Sequence, residues 1–313
     1  MIKTQNNYAI FLMKTFKAIW ELMRLEHGVM LALAIFIGSI IALQSQGNLT
    51  FALFPFDKFI LTFFTALFLE ASTFALNDYF DVEIDKKNKR QDRPLARGDL
   101  KPKTALYLFY LLFPLGIICS FFVNYTCFFI ALITAIFAII YDVYLKKIKL
   151  LGNFYIAYVM AIPFVFGAAA VEPSNTILQF HIEPAVIIIS CIAFLAGSGR
   201  EIMKDVMDYR GDKTSGVKSF PKYIGTRKSN IIASLFYFSA VILSIPPYFY
   251  DQFGVYYQNI TYIVLILITD IFFLLTGFQL LINKNIDMPR YRKITLYGLF
   301  IGLVGFFLAA FIG

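Results

Sequence analysis

The chain has 313 residues, of which 59% are hydrophobic, and its mean hydropathy is +0.71. That excludes an ordinary water-soluble domain, whose apolar share is nearer half. The formal net charge of +8 would suit an anionic partner, but no aromatic-basic RNA motif or zinc-finger spacing accompanies it, so no nucleic-acid partner is expected. The three cysteines, Cys119, Cys127 and Cys191, form no C-x-x-C pair and read as small packing residues.

In chain order, residues 1–16 mix polar and apolar side chains, include Lys3 and Lys14, and carry no small-residue cleavage site, so the first span is expected to act as its own insertion signal. Nine apolar stretches follow, over about 18–43, 59–80, 104–122, 126–144, 153–171, 185–207, 231–250, 260–282 and 293–312. Each is long enough, with its flanks, to cross or nearly cross a bilayer. The expected fold is an all-α membrane protein: one bundle of nine transmembrane helices forming a single domain over 1–313. Lys and Arg set its orientation. Of the 28, 27 fall in 1–24, 86–103, 146–149, 200–228 and 284–293, the N-terminus and every second loop. The excess of positive charge predicts that the N-terminus and those loops are cytoplasmic, with Gly313 outside, in a multi-pass protein of the cell membrane in contact with its lipids.

The second and sixth stretches end alike. Asn77-Asp78-Tyr79-Phe80-Asp81-Val82-Glu83-Ile84-Asp85 and Lys204-Asp205-Val206-Met207-Asp208-Tyr209-Arg210-Gly211-Asp212 both contain D-x-x-D-x-x-x-D, and a proline follows nine residues later, Pro94 and Pro221. The repetition predicts two parallel four-helix repeats plus a ninth helix. The segments 77–103 and 204–228 are expected on the cytoplasmic side, as long polar loops after the motifs. On a continuing helix, Asn77, Asp81 and Asp85 share a face, and Asp78 joins Asp81 and Asp85 at i, i+3, i+7. Asp205, Asp208 and Asp212 repeat the pattern, with Gly211 a candidate helix end that would leave Asp212 in the loop.

Carboxylates gathered at helix C-termini repel one another and oppose the macrodipole. Divalent cations offset both costs, and hard oxygen donors suit Mg²⁺, often shared with substrate phosphates. Asn77, Asp78, Asp81, Asp85, Asp205, Asp208 and Asp212 are the candidate ligands. The bland alternative is a pair of acidic helix ends neutralised by nearby Lys and Arg. Among the cations, Arg24 and Lys204 lie closest to the helix ends, ahead of Arg93 and Lys213 as phosphate binders. Glu70 lies two turns before Asp78 on about the same face, and Asp270 falls mid-span; intramembrane acids of this kind are candidate functional groups. His27 is expected to pack or hydrogen-bond near the entrance of the first span.

The run Asn77-Asp78-x-x-Asp81-x-x-x-Asp85, followed by Asp92-Arg93-Pro94-Leu95 and Gly98, resembles the first signature of the UbiA-type intramembrane prenyltransferase superfamily. Asp208-x-x-x-Asp212, with Gly216 and Pro221, resembles the second. Tyr141 and Leu145-Lys146 resemble the family's tyrosine and basic pair after the fourth helix. The resemblance covers nearly the whole chain, nine spans included. It implies a prenyl diphosphate donor bridged to both aspartate clusters by two Mg²⁺, ionisation to an allylic cation, and attack by an acceptor. Asn77, Asp81 and Asp85 would serve one ion and Asp208 and Asp212 the other, with Asp78 and Asp205 in support. Lys146 would join the anion binders, and the Tyr141 ring face would stabilise the cation, although an interfacial aromatic anchor is the simpler reading of that residue.

Arg24-Leu25-Glu26-His27-Gly28 and Arg200-Glu201-Ile202-Met203-Lys204-Asp205 resemble the branch that transfers geranylgeranyl to geranylgeranylglyceryl phosphate, the second ether bond of archaeal lipids. The R-E-I-x-K-D run also resembles enzymes for aromatic acceptors such as homogentisate, so a lipid phosphate and an aromatic acid both remain open. Asp142 and Asp99 depart from the family pattern. A cation transporter is the alternative from another class; carriers place such acids near the midplane on broken helices, whereas these stand at helix ends.

Overall fold

The computed structural model describes residues 2–47, 54–87, 89–172, 181–214, 218–283 and 286–312, with side chains given outside 2–11, 147, 210–214 and 312. The described residues contain helices and no strand. Nine helical segments among them are long and apolar enough to cross a membrane: Leu25–Ser45, Phe56–Lys87, Pro102–Val123, Tyr125–Val143, Lys149–Val171, Pro184–Tyr209, Phe220–Phe249, Ile260–Ile282 and Met288–Phe311. The chain forms two compact units, one of residues 1–32 and 60–142, the other of 33–59 and 143–313.

The first unit holds α1 (Ile2–Met23), the start of α2 (Gly28–Ser45), most of α3 (Phe56–Lys87), the short α4 (Pro94–Arg97), α5 (Pro102–Val123) and α6 (Tyr125–Val143). Its beginning differs from expectation. Residues 18–23 belong to α1 and not to the first span, because the helix breaks at Arg24, whose backbone is left-handed (φ 50°, ψ 45°). A 3-10 turn, Leu25–His27, then leads into α2. Ala18 and Leu22 of α1 are buried with Ala75 of α3, Leu95 of α4, and Leu100 and Ala105 at the start of α5.

The second unit holds the rest of α2, with α7 (Lys149–Val171), α8 (Pro184–Thr214), α9 (Phe220–Ser244), α10 (Pro246–Phe249), α11 (Ile260–Ile282) and α12 (Met288–Ile312). α8 packs against α7, α9 and α12. α2 and α7 meet backbone to backbone: a methyl added at Gly38 would strike the Phe164 carbonyl, and one added at Gly167 the Ile35 carbonyl. Ser39 Oγ, completely buried, donates to the Gly167 carbonyl at 2.9 Å. Small residues permit such crossings where lipid offers no hydrophobic drive for helices to associate.

The segments after the acidic motifs are more helical than a loop reading suggests. α3 runs through Asp85 to Lys87, and α8 runs through Gly211 and Asp212 to Thr214. Gly211 does not end its helix: it lacks the positive φ of a glycine cap, which Gly98 supplies at the end of α4. An interior glycine costs a helix only about 1 kcal/mol relative to alanine.

Candidate active site

The first acidic motif is organised around Asp78. Its side chain is 1% exposed, and Oδ1 accepts from Arg24 at 2.9 Å and Arg93 at 3.0 Å. Local chemistry brings both arginines there. The left-handed turn at Arg24 costs about 1–2 kcal/mol in a non-glycine residue. It is offset by the ion pair and by the guanidinium lying 4.1 Å over the Phe74 ring. Arg93 precedes a proline, which holds it extended (φ −114°, ψ 112°). Pro94 opens α4 without wasting a donor. Gly98 (φ 82°) closes it, with its N–H directed at the carbonyls of Pro94 and Leu95. The D-R-P-L…G run is thus a single helical turn, pinned by buried Leu95, that returns Arg93 to α3.

Further ion pairs brace the turn. Arg97 pairs with Glu21 of α1 at 2.5 Å and with Asp99 at 2.6 Å. Arg90 grips Asp92 through two hydrogen bonds, 2.8 and 2.6 Å, which hold the Asp92 carboxyl below the usual range and push the Arg90 guanidinium above its own. The Glu21 hydrogen bond likewise raises Arg97. Asp99, a departure from the family pattern, therefore has a structural partner. Along α3 toward Glu70, His27 sits 3.5 Å from the Glu70 carboxylate and edge-on to Phe74. Glu70, Phe74 and Asp78 form one stripe that holds the α1–α2 corner.

Asp81 and Asp85 share α3 with Asp78, close enough for their charges to act on its carboxylate. Asp81 and Asn77 are half-buried and Asp85 is buried. The oxygen chemistry suits a hard cation: Asp78 Oδ2 is buried with no hydrogen-bond partner, and Asn77, Asp81 and Asp85 offer amide and carboxylate oxygens on the same helix. No group of three or more His, Cys, Asp or Glu side chains among the described residues is close enough to hold a metal unaided.

In the second unit, Asp205 is buried; Asn153 Nδ2 donates to Oδ2 at 2.8 Å and Lys149 Nζ lies 3.5 Å from Oδ1. Lys149 and Asn153 stand one turn apart at the start of α7, a K-x-x-x-N spacing present in the sequence but not singled out there. Glu201, 7% exposed, binds Lys204 through Oε2 (3.3 Å) and Arg200 through Oε1 (3.5 Å). Asp208 lies a turn beyond Lys204, half-buried. The side chains of Asp212 and Lys213 lie outside the described residues, although their backbone continues α8. Tyr141 is half-buried in the last turn of α6, and Lys146 is half-buried in the 3-10 turn Leu145–Lys147. Asp270 is buried within α11 and accepts from Ser244 Oγ at 2.7 Å.

Comparison with known proteins agrees with this architecture. Residues 30–304 match the model of the UbiA prenyltransferase family. The chain is 39% identical to digeranylgeranylglyceryl phosphate synthase of Archaeoglobus fulgidus, over 94% of this chain and 96% of that protein. A solved structure of digeranylgeranylglyceryl phosphate synthase in membranes superposes with a TM-score of 0.74 at 33% identity, covering 96% of this chain and 99% of that one. A UbiA homologue of Archaeoglobus fulgidus bound to DMAPP and Mg²⁺ shares the fold at a TM-score of 0.57 and 16% identity, covering 92% and 99%. With its acidic motifs at the ends of two long helices, the multi-pass membrane chain belongs to the UbiA prenyltransferase family.

Proposed function

We propose that the protein transfers a geranylgeranyl group from geranylgeranyl diphosphate to geranylgeranylglyceryl phosphate, completing the second ether bond of an archaeal membrane lipid. The observation that carries this reading is the 39% identity, over nearly the whole of both chains, to a digeranylgeranylglyceryl phosphate synthase. The donor and the use of Mg²⁺ are supported by family members solved with DMAPP or GPP and Mg²⁺. The excess of Lys and Arg in alternate loops supports a cell-membrane protein with its N-terminus and acidic motifs cytoplasmic and Gly313 outside.

Asn77, Asp81 and Asp85 would hold one Mg²⁺ and Asp208 and Asp212 the other, with Asp78 and Asp205 in support. Bound there, the ions would supply neutralisation of the diphosphate charge. Asp78 holds Arg24 and Arg93 in place, and Asp205 holds Lys149 and Asn153, so anion-binding groups stand fixed beside each motif. Glu201 holds Lys204 in the same way, and Lys146 and Lys213 add positive charge. The allylic C–O bond breaks with its electron pair going to the diphosphate. The allylic cation needs a dry site, which an apolar helical protein provides, and the Tyr141 ring face supports the charge. The acceptor's glycerol hydroxyl forms the new C–O bond, and its proton passes to the released diphosphate.

The reading is tested with Asp81→Ala and Asp208→Ala. Each abolishes transfer while the protein still inserts and elutes as a folded species. Full activity in either variant overturns the two-cluster assignment. Product from an aromatic acid in place of the glycerol phosphate keeps the chemistry and moves the acceptor.

A further inference from the structure

α1 is not among the segments fit to span a membrane, yet it shows a broad apolar face. Leu12, Met13, Phe16 and Trp20 are 48%, 73%, 67% and 43% exposed. At 100° per residue they fall within one arc of about 100°. Ala18 and Leu22, on the far side, are buried against Ala75, Leu95, Leu100 and Ala105. Lys14, Lys17 and Glu21 occupy the arc between, and Lys17, with a side chain 78% exposed, pairs with Glu21 at 3.8 Å. One face therefore grips the protein, one is charged, and one is apolar with nothing packed on it among the described residues.

We infer that α1 lies in the plane of the membrane surface, its Leu12–Met13–Phe16–Trp20 face sunk among anionic lipid headgroups. Three observations select lipid over another occupant. α1 leads through a single 3-10 turn, Leu25–His27, into the first membrane span, so its C-terminal end is already at the bilayer. Val29 and Met30, at the start of that span, are likewise apolar and exposed, 65% and 39%. Lys17 borders one edge of the apolar arc, where its stem can follow the apolar surface and its ammonium group reach phosphate. Helices of this pattern bury their apolar face about 5–10 Å into the headgroup and acyl boundary. The buried face holds α4 through Leu95, and Glu21 of the charged arc pairs with Arg97, so the turn that delivers Arg93 is tied to the membrane surface through α1.

Trp20 is the sole tryptophan in the chain, so its fluorescence reports on this face alone. The full-length protein is reconstituted in phosphatidylcholine–phosphatidylglycerol vesicles carrying quenchers at the headgroup, at the upper acyl chain or at the chain end. The expected result is blue-shifted emission, loss of most of the signal to the headgroup and upper-chain quenchers, little loss to the chain-end quencher, and weak quenching by aqueous acrylamide. Met13→Glu with Phe16→Glu, both on the exposed arc, is expected to reverse the pattern without disturbing the buried face. Trp20 open to acrylamide and untouched by lipid quenchers overturns the inference in favour of a solvated helix. Shielding from both kinds of quencher overturns it in favour of a protein partner or a second copy. Strongest quenching at the chain end overturns it because the segment would then be crossing the bilayer.

Discussion

Replacing Asp78 separates its role as an anchor for two arginines from any role in metal binding. The carboxylate is buried, and a single oxygen receives guanidiniums at 2.9 and 3.0 Å whose side chains are 18% and 20% exposed. Removing one member of a buried ion pair costs about 3–5 kcal/mol, because the partner charge is left uncompensated. Here the arginines keep some water contact, so Asp78→Ala is expected near the lower end, about 3 kcal/mol. Asp78→Asn keeps an acceptor of the same shape and loses only the charge, so about half that loss is expected. The assay is thermal unfolding in detergent, with limited proteolysis across Arg90–Lys101 as a local readout. Both variants should melt earlier and be cut faster, Ala more than Asn. In transfer assays, Asp78→Asn should keep most of the wild-type Mg²⁺ dependence while turnover falls. Unchanged melting and cleavage in Asp78→Ala would refute the anchoring argument.

Gly167→Ala drives a methyl into the Ile35 carbonyl, with backbone on both sides of the contact; it is expected to cost about 1–3 kcal/mol in thermal unfolding, whereas Ala168→Gly should cost far less than a collapse of the crossing. Ser244→Ala removes the hydroxyl that donates to buried Asp270 at 2.7 Å, with an expected loss of about 1–3 kcal/mol that the double variant with Asp270→Asn partly recovers. Gly98→Ala meets no neighbouring atom, so its cost is the left-handed backbone alone, about 1 kcal/mol; faster proteolysis of the α4 segment is the expected sign.

The spans were legible because a bilayer demands long apolar runs, and apart from the two acidic ends only the first and seventh segments depart from the hydropathy reading by more than about five residues; the seventh begins at Phe220, inside the segment expected as a loop, because its first turns are polar. The first was misjudged at its start because Leu22 and Ala18 are apolar enough to join a span, and only the left-handed turn at Arg24 separates them from it. Nothing in a hydropathy window marks that turn. The expected helix end at Gly211, which would have left Asp212 in the loop, failed because a glycine tolerated inside a helix looks the same in sequence as one that caps it. Within the site, Arg24 was singled out by its closeness to a helix end, and the D-R-P-L…G run by the family resemblance alone; that the run is a helical turn is visible only in its backbone angles. The partners of Asp205 did not: Lys149 and Asn153 lie on another helix, and a pairing across about fifty residues leaves no local pattern. Asp212 and Lys213 keep their roles as expectations from the motif alone.

The central claim is the reaction, and transfer of labelled geranylgeranyl from its diphosphate by the purified protein tests it most directly. Geranylgeranylglyceryl phosphate and homogentisate are offered separately, with and without Mg²⁺. The account requires product from the glycerol phosphate in the presence of Mg²⁺, and none after chelation. Product from homogentisate alone would contradict the lipid assignment, and no product from either acceptor would contradict the proposed donor and reaction together.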